Sequence, residues 1–122
     1  MNSIVVNDKK FFGYIKEMLL DFKNYPFILP DDTKILMRDL KVILKEKTLS
    51  VVLLNNLVPY LINQLNVYET RFKYDLVNQV IHKMIYEEQK YILSYIKKYF
   101  IINEYDCFIS ISINFNDLKQ AS

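Results

Sequence analysis

Glycine is almost missing from this chain of 122 residues, Gly13 being its only one. Loops that cradle phosphates and the glycine fingerprint of dinucleotide folds need several, because only a residue without Cβ lets the backbone close on a phosphate at such turns. Nucleotide binding by those routes is excluded. Cysteine is equally scarce: Cys107 stands alone, so no internal disulfide can form and no second thiol lies at metal-ligand spacing. An unpaired thiol fits a reducing compartment, and the cytoplasm is the expected location. The acidic neighbours Glu104 and Asp106 and the apolar Phe108 disfavour a thiolate, so a catalytic thiol is not expected.

Charge of neither sign prevails. The 16 basic and 14 acidic side chains are interspersed and leave a formal net charge of +2, too little to recruit polyanions by a whole-molecule field. Residues 1–8 lack the basic lead and long apolar run of a secretory signal. Residues 48–68 contain no charged side chain, but Asn55, Asn56, Pro59, Asn63, Gln64 and Asn66 interrupt them, and no membrane span is expected there.

Histidine is represented by His82 alone. Asp75, seven residues earlier, could orient it as a general base, and Glu87 or Glu88 could join it on a metal. With no second imidazole in the chain, the expected role is a boundary histidine beside Ile81 and Ile85. The acidic pairs Asp31 with Asp32 and Glu87 with Glu88 are adjacent in sequence, so on a helix their carboxylates diverge by about 100° and do not converge on a substrate. Neither an active site nor a metal or cofactor site is expected.

What is present suits a single globular domain over residues 1–122: 52% hydrophobic and 25% charged residues, with no linker or repeat. One Ala, one Gly, two Arg and three Pro stand against 15 Ile, 14 Lys and 11 Asn, the signature of an A+T-rich gene.

Four helical stretches follow from the periodicity. Phe11, Ile15, Met18 and Phe22 recur at helical spacing over residues 8–24, with Asn7 or Asp8 as cap. Pro26 and Pro30 must end that helix, leaving an apolar connector expected to pack on the core. Leu36, Leu40 and Ile43 define a second helix, begun by Asp31 or Asp32 and ending near Glu46. A third should start at Thr48 or Ser50 and reach Asn66, with Pro59 bending or splitting it. Residues 69–102 keep a helical period without Gly or Pro, and a break is expected over residues 87–90.

Beyond Asp106 the period becomes two. Cys107, Ile109, Ile111, Ile113 and Phe115 share one face, while Ser110, Ser112, Asn114 and Asn116 share the other. This strand needs a ladder partner, and residues 3–6 are the visible candidate; otherwise it would add to another molecule. The expected fold is mainly α, a compact bundle of four to five helices with a small two-stranded β element from the N- and C-terminal segments.

Three surfaces could bind. Asn55, Asn56, Asn63 and Asn66 line an uncharged side of the third helix, which implies burial beneath other helices or beneath a partner. Tyr91, Tyr95 and Tyr99 form one line along a later helix, suited to the core edge or to a contact surface. Lys34, Arg38, Lys41 and Lys45 align opposite the apolar stripe of the second helix and could meet an anion. The expected function is non-catalytic: binding another protein so as to neutralise or sequester it, as immunity proteins do for toxins and viral or mobile-element inhibitors do for host factors. A nucleic-acid or anionic-membrane surface engaged by the cationic stripe is the alternative. A homodimer stays open, and no small-molecule substrate is expected.

Overall fold

The computed structural model describes residues 3–114. In chain order these form β1 (Ser3–Val5), α1 (Lys9–Lys23), α2 (Asp31–Glu46), β2 (Thr48–Ser50), α3 (Val51–Tyr74), α4 (Gln79–Tyr99), β3 (Phe100–Glu104) and β4 (Ile109–Ile113). The fold is mainly helical, with small two-stranded antiparallel sheets contributed by N- and C-terminal segments.

Those segments do not pair with each other, contrary to the expected ladder. β1 runs against β2, Ile4 opposite Leu49, and β3 runs against β4, Ile102 opposite Ile111. β1 thus finds its partner across two intervening helices, and β3 finds its partner across a short turn. Both unforeseen partners overlap stretches whose spacing predicts helix: Thr48–Ser50 the start of the third, and residues 100–102 the tail of the last. Phe115 and Asn116, expected in the final strand, lie outside the described residues.

Helix α1 places Phe11, Ile15, Met18 and Leu19 in the core. Asp8 caps it, its Oδ1 accepting from the Phe11 amide at 3.0 Å, and its Oδ2 accepts from the Tyr91 hydroxyl at 2.7 Å. The Phe11 amide is the main cause that holds the Asp8 carboxyl below its usual range. Replacing Asp8 by Ala should cost about 1–2 kcal/mol at neutral pH through the lost cap. A carboxylate depressed in the folded state contributes stability above its unfolded pKa near 3.9, and loses it as pH falls through the folded value. The difference in Tm between the native chain and Asp8→Ala should therefore be full at about pH 6 and shrink toward about pH 3 in thermal melts.

The connector after α1 does not pack on the core: Phe27 is 71% and Ile28 91% exposed. Pro26 and Pro30 deny it two backbone donors and end the helix, and the chain bends at Pro26 and Phe27 instead of turning Phe27 and Ile28 inward. Helix α2 then buries Leu36, Leu40 and Ile43 and ends at Lys47, whose left-handed φ of 54° turns the chain into β2. In its first turn Asp32 accepts from the Thr33 amide at 2.9 Å.

Ser50 caps α3, accepting from the Leu53 amide at 3.3 Å. The helix neither stops nor splits at Pro59 and extends to Tyr74. Leu54, Leu57, Val58 and Leu61 are buried on the opposite face of α3, and their packing holds the helix where one backbone hydrogen bond is missing. The expected break at 87–90 is absent too, because Gln89 turns inward beside Ile92 and Leu93 and α4 runs through. The chain reverses instead at residues 75–78. There Asp75 Oδ1 accepts from the Asn78 amide at 3.3 Å and Asp75 Oδ2 from the Asn78 side chain at 3.2 Å. Side chains that bond their own turn do here what Gly or Pro does elsewhere.

Candidate functional site

Helix periodicity sets Val52, Asn55, Asn56, Pro59, Asn63, Asn66 and Thr70 within an arc of about 100° on α3, opposite the buried Leu54, Leu57, Val58 and Leu61. All four asparagines are exposed. Burial beneath the molecule's own helices, one of the two explanations for an uncharged face, therefore does not apply. The stripe runs about 27 Å without a charged side chain, whereas an exposed helix face ordinarily carries charge along such a length.

Where the stripe meets the start of α2, the two helices leave a groove of about 320 Å³ lined by Asp32, Thr33, Leu36, Asn55, Asn56, Pro59 and Tyr60. Asn56 Nδ2 donates to Asp39 Oδ2 at 2.8 Å and ties the two walls together. Pro59 has no amide hydrogen, so the bond that residue 59 would donate to the Asn55 carbonyl cannot form. The groove thus combines the apolar surface of Leu36, Pro59 and Tyr60 with Asp32, Thr33, two asparagine side chains and a backbone acceptor relieved of its helical partner.

The tyrosine line is elsewhere and committed inward. Tyr95 is buried, its ring 4.7 Å from Phe11 and 5.3 Å from Tyr99, and desolvation pushes its hydroxyl up to about 12. Tyr91 meets Tyr14 edge-on at 5.5 Å and gives its hydroxyl hydrogen to Asp8. Tyr91 and Tyr95 therefore seat α1 on α4 rather than extending the asparagine surface. Ile92 and Ile96, apolar neighbours on the same side of α4 and both buried, are the sequence signal that places them there.

Lys34, Arg38, Lys41 and Lys45 are all exposed on the outer side of α2. Lys34 approaches Asp31 at 4.0 Å in a solvated pair; among the described residues Arg38, Lys41 and Lys45 have no ion-pair partner. The line of cations is available as drawn from the sequence.

His82 and Asp75 do meet, Nε2 to Oδ2 at 2.9 Å. That bond is the largest cause lowering the Asp75 carboxyl, whose remaining bonds go to Asn78. The other ring nitrogen, Nδ1, is buried without a hydrogen-bond partner, and the ring lies 5.8 Å from Tyr68. The nitrogen left for a substrate proton thus faces protein, and the pair pins the α3–α4 turn. Among the described residues no group of three or more His, Cys, Asp or Glu side chains is placed to hold a metal ion. Nor is any helix among them long and apolar enough to cross a membrane.

Sequence reasoning missed one surface. Between Leu61 and Gln89 α3 and α4 contain no buried residue, and past Leu65, which still packs on the core, they form a hairpin arm. Internally it is held by Phe72 against Tyr86 at 5.2 Å and by Gln79 donating to the Phe72 carbonyl at 2.8 Å. Its tip exposes Tyr74, Leu76, Val77, Val80, Ile81 and Met84. In the sequence Leu76, Val80, Ile81 and Met84 fit a helical period; only knowing where α1 ends shows that nothing covers them.

No family model, curated protein or solved structure matches the chain, so its functional reading rests on its own geometry.

Proposed function

We propose that this protein acts stoichiometrically in the cytoplasm, binding another protein and neutralising or sequestering it without catalysis. One observation carries the reading: an exposed helix side some 18 residues long, from Val52 to Thr70, that bears asparagines and no charge. Interface centres are depleted in charge, and asparagine offers both donors and acceptors to whatever backbone or side chain meets it. The groove beside α2 gives that side a concave anchor point. A toxin countered by an immunity-like antidote, or a host factor countered by an inhibitor, are the partner classes that suit a small stoichiometric binder.

Arginine at Asn55 and Asn63 tests this. Both positions are exposed, so the variant should keep the native circular dichroism and Tm while losing, by at least about tenfold, capture of a cross-linked protein partner retained by the unaltered chain. Unchanged capture would reject the asparagine side as the contact. The unpaired cations of α2 favour a second reading, binding to a nucleic acid or an anionic membrane surface. In the same assay, exchange of Lys34, Arg38, Lys41 and Lys45 for glutamine would then flatten a steep dependence of binding on salt.

A further inference from the structure

We propose that the groove between α2 and α3 takes the side chain of one arginine from the bound protein. This names the chemistry of the contact proposed above and rests on that reading. Open acceptors collect along the groove. Asp32 brings a carboxylate of which Oδ1 is engaged by the Thr33 amide at 2.9 Å, and among the described residues it has no ion-pair partner. Asn56 turns its Nδ2 to Asp39 at 2.8 Å, which leaves the amide oxygen on the other branch of the side chain. The Asn55 carbonyl lacks its helical donor because residue 59 is proline. Such a set is answered by a group with several N–H donors and no acceptor of its own.

Charge selects a cation. No basic residue lines the groove, and the charged residues at its walls are Asp32 and, behind Asn56, Asp39. Residues 48–68 add no charge from the α3 side. The cations of α2 do not reach in: Lys34, Arg38, Lys41 and Lys45 lie about 120° or more round the helix from Asp32. The positive end of the α2 dipole is outweighed as well. Lys34 answers Asp31 at 4.0 Å, which leaves the full charge of Asp32 against about half a charge from the helix.

Shape selects arginine among cations. Leu36, Pro59 and Tyr60 offer apolar surface to a long aliphatic stem, and the Tyr60 ring offers a face to a flat guanidinium. A lysine ammonium is a compact, strongly hydrated point charge, so it stacks less and gives up its water at greater cost. The volume, about 320 Å³, lies at the lower end for sites that enclose a whole small molecule and is ample for one side chain.

Titration of the isotope-labelled full chain with N-acetyl-arginine methylamide, followed by amide NMR, tests the groove without a protein partner. Saturable shifts should centre on Thr33, Leu36, Asn55, Asn56 and Tyr60. The citrulline analogue, alike in length and shape but uncharged, should bind at least about tenfold more weakly. Asp32→Asn keeps an oxygen for the Thr33 amide, so it should retain the native circular dichroism while weakening the arginine probe at least about tenfold. Pro59→Ala, which supplies the Asn55 carbonyl with a donor, should weaken it about threefold. Shifts scattered over the surface, equal binding of the citrulline probe, or undiminished binding by Asp32→Asn would overturn the proposal. In the capture assay, Asp32→Asn should lose at least about tenfold. If it captures normally while arginine at Asn55 and Asn63 abolishes capture, the arginine site falls and the asparagine side stands.

Discussion

Phe11→Ala is expected to lower the stability of this protein by about 3–5 kcal/mol, the range for removing a fully buried aromatic ring. Phe11 has no exposed surface, and its ring sits 4.7 Å from Tyr95 and 5.8 Å from Phe12. The cavity would open where α1 meets α4, two helices that contribute Ile15, Ile92 and Ile96 to the same core. Rigid neighbours on both sides limit collapse into the void, so the cost should fall in the upper part of that range. A domain of this size has some 5–15 kcal/mol in total, and a loss so large lowers Tm by roughly 12–20 °C. Differential scanning calorimetry reads this directly; a shift below a few degrees would mean that α1 is not integral to the core.

The second large effect runs the other way. Pro59→Ala should raise stability by about 2 kcal/mol, because proline within a helix is some 3 kcal/mol worse than alanine and only part of that is returned by its stiffening of the unfolded chain. The alanine amide would donate to the Asn55 carbonyl and complete the ladder of α3. Helix α3 is already continuous, so no rearrangement has to precede the gain. The melting temperature should rise by about 8 °C. If the groove beside α2 is where a partner anchors, the same change withdraws its free acceptor, and tighter folding would accompany weaker capture. A variant neither more stable nor altered in binding would show the helix already compensated at residue 55.

Much of this fold was legible where one local rule acts alone. Phe11, Ile15 and Met18 follow one face, and Asp8 and Ser50 stand where their oxygens can meet free amides; both cap as such residues should. Most of the errors have one origin: a local signal overruled by something distant. Pro59 reads as a breaker, but the buried leucines around it outweigh one missing hydrogen bond. Residues 48–50 and 100–104 satisfy helical patterns as well as extended ones, and only the arrival of β1 and β4 alongside decides between them. The reversal at Asp75 and Asn78 depends on side-chain bonding to the backbone, which composition does not reveal.

The candidate surfaces divide in the same way. The uncharged side of α3 could be drawn from spacing alone, because a helix face is a local property. Whether that face was covered could not, since coverage depends on where the neighbouring helices run. The tyrosines went the opposite way to the asparagines for this reason: α1 lies across Tyr91 and Tyr95, and nothing lies across Asn63. The apolar arm escaped notice because Val80, Ile81 and Met84 obey the same periodicity as true core positions.

The unequal lengths of the helices give the molecule two grades of cohesion. Around Phe11, Leu57 and Ile96, opening any one helix must disturb several others, and the whole unit resists together. Past Leu65 and outward of Gln89 the hairpin is held mainly by its own contacts, Phe72 on Tyr86, Tyr68 beside His82, the Gln79 bond to Phe72 and the clasp of His82 on Asp75. Its outer turns can therefore loosen and re-form while the body stays closed, giving one small protein a firm base and a pliant end.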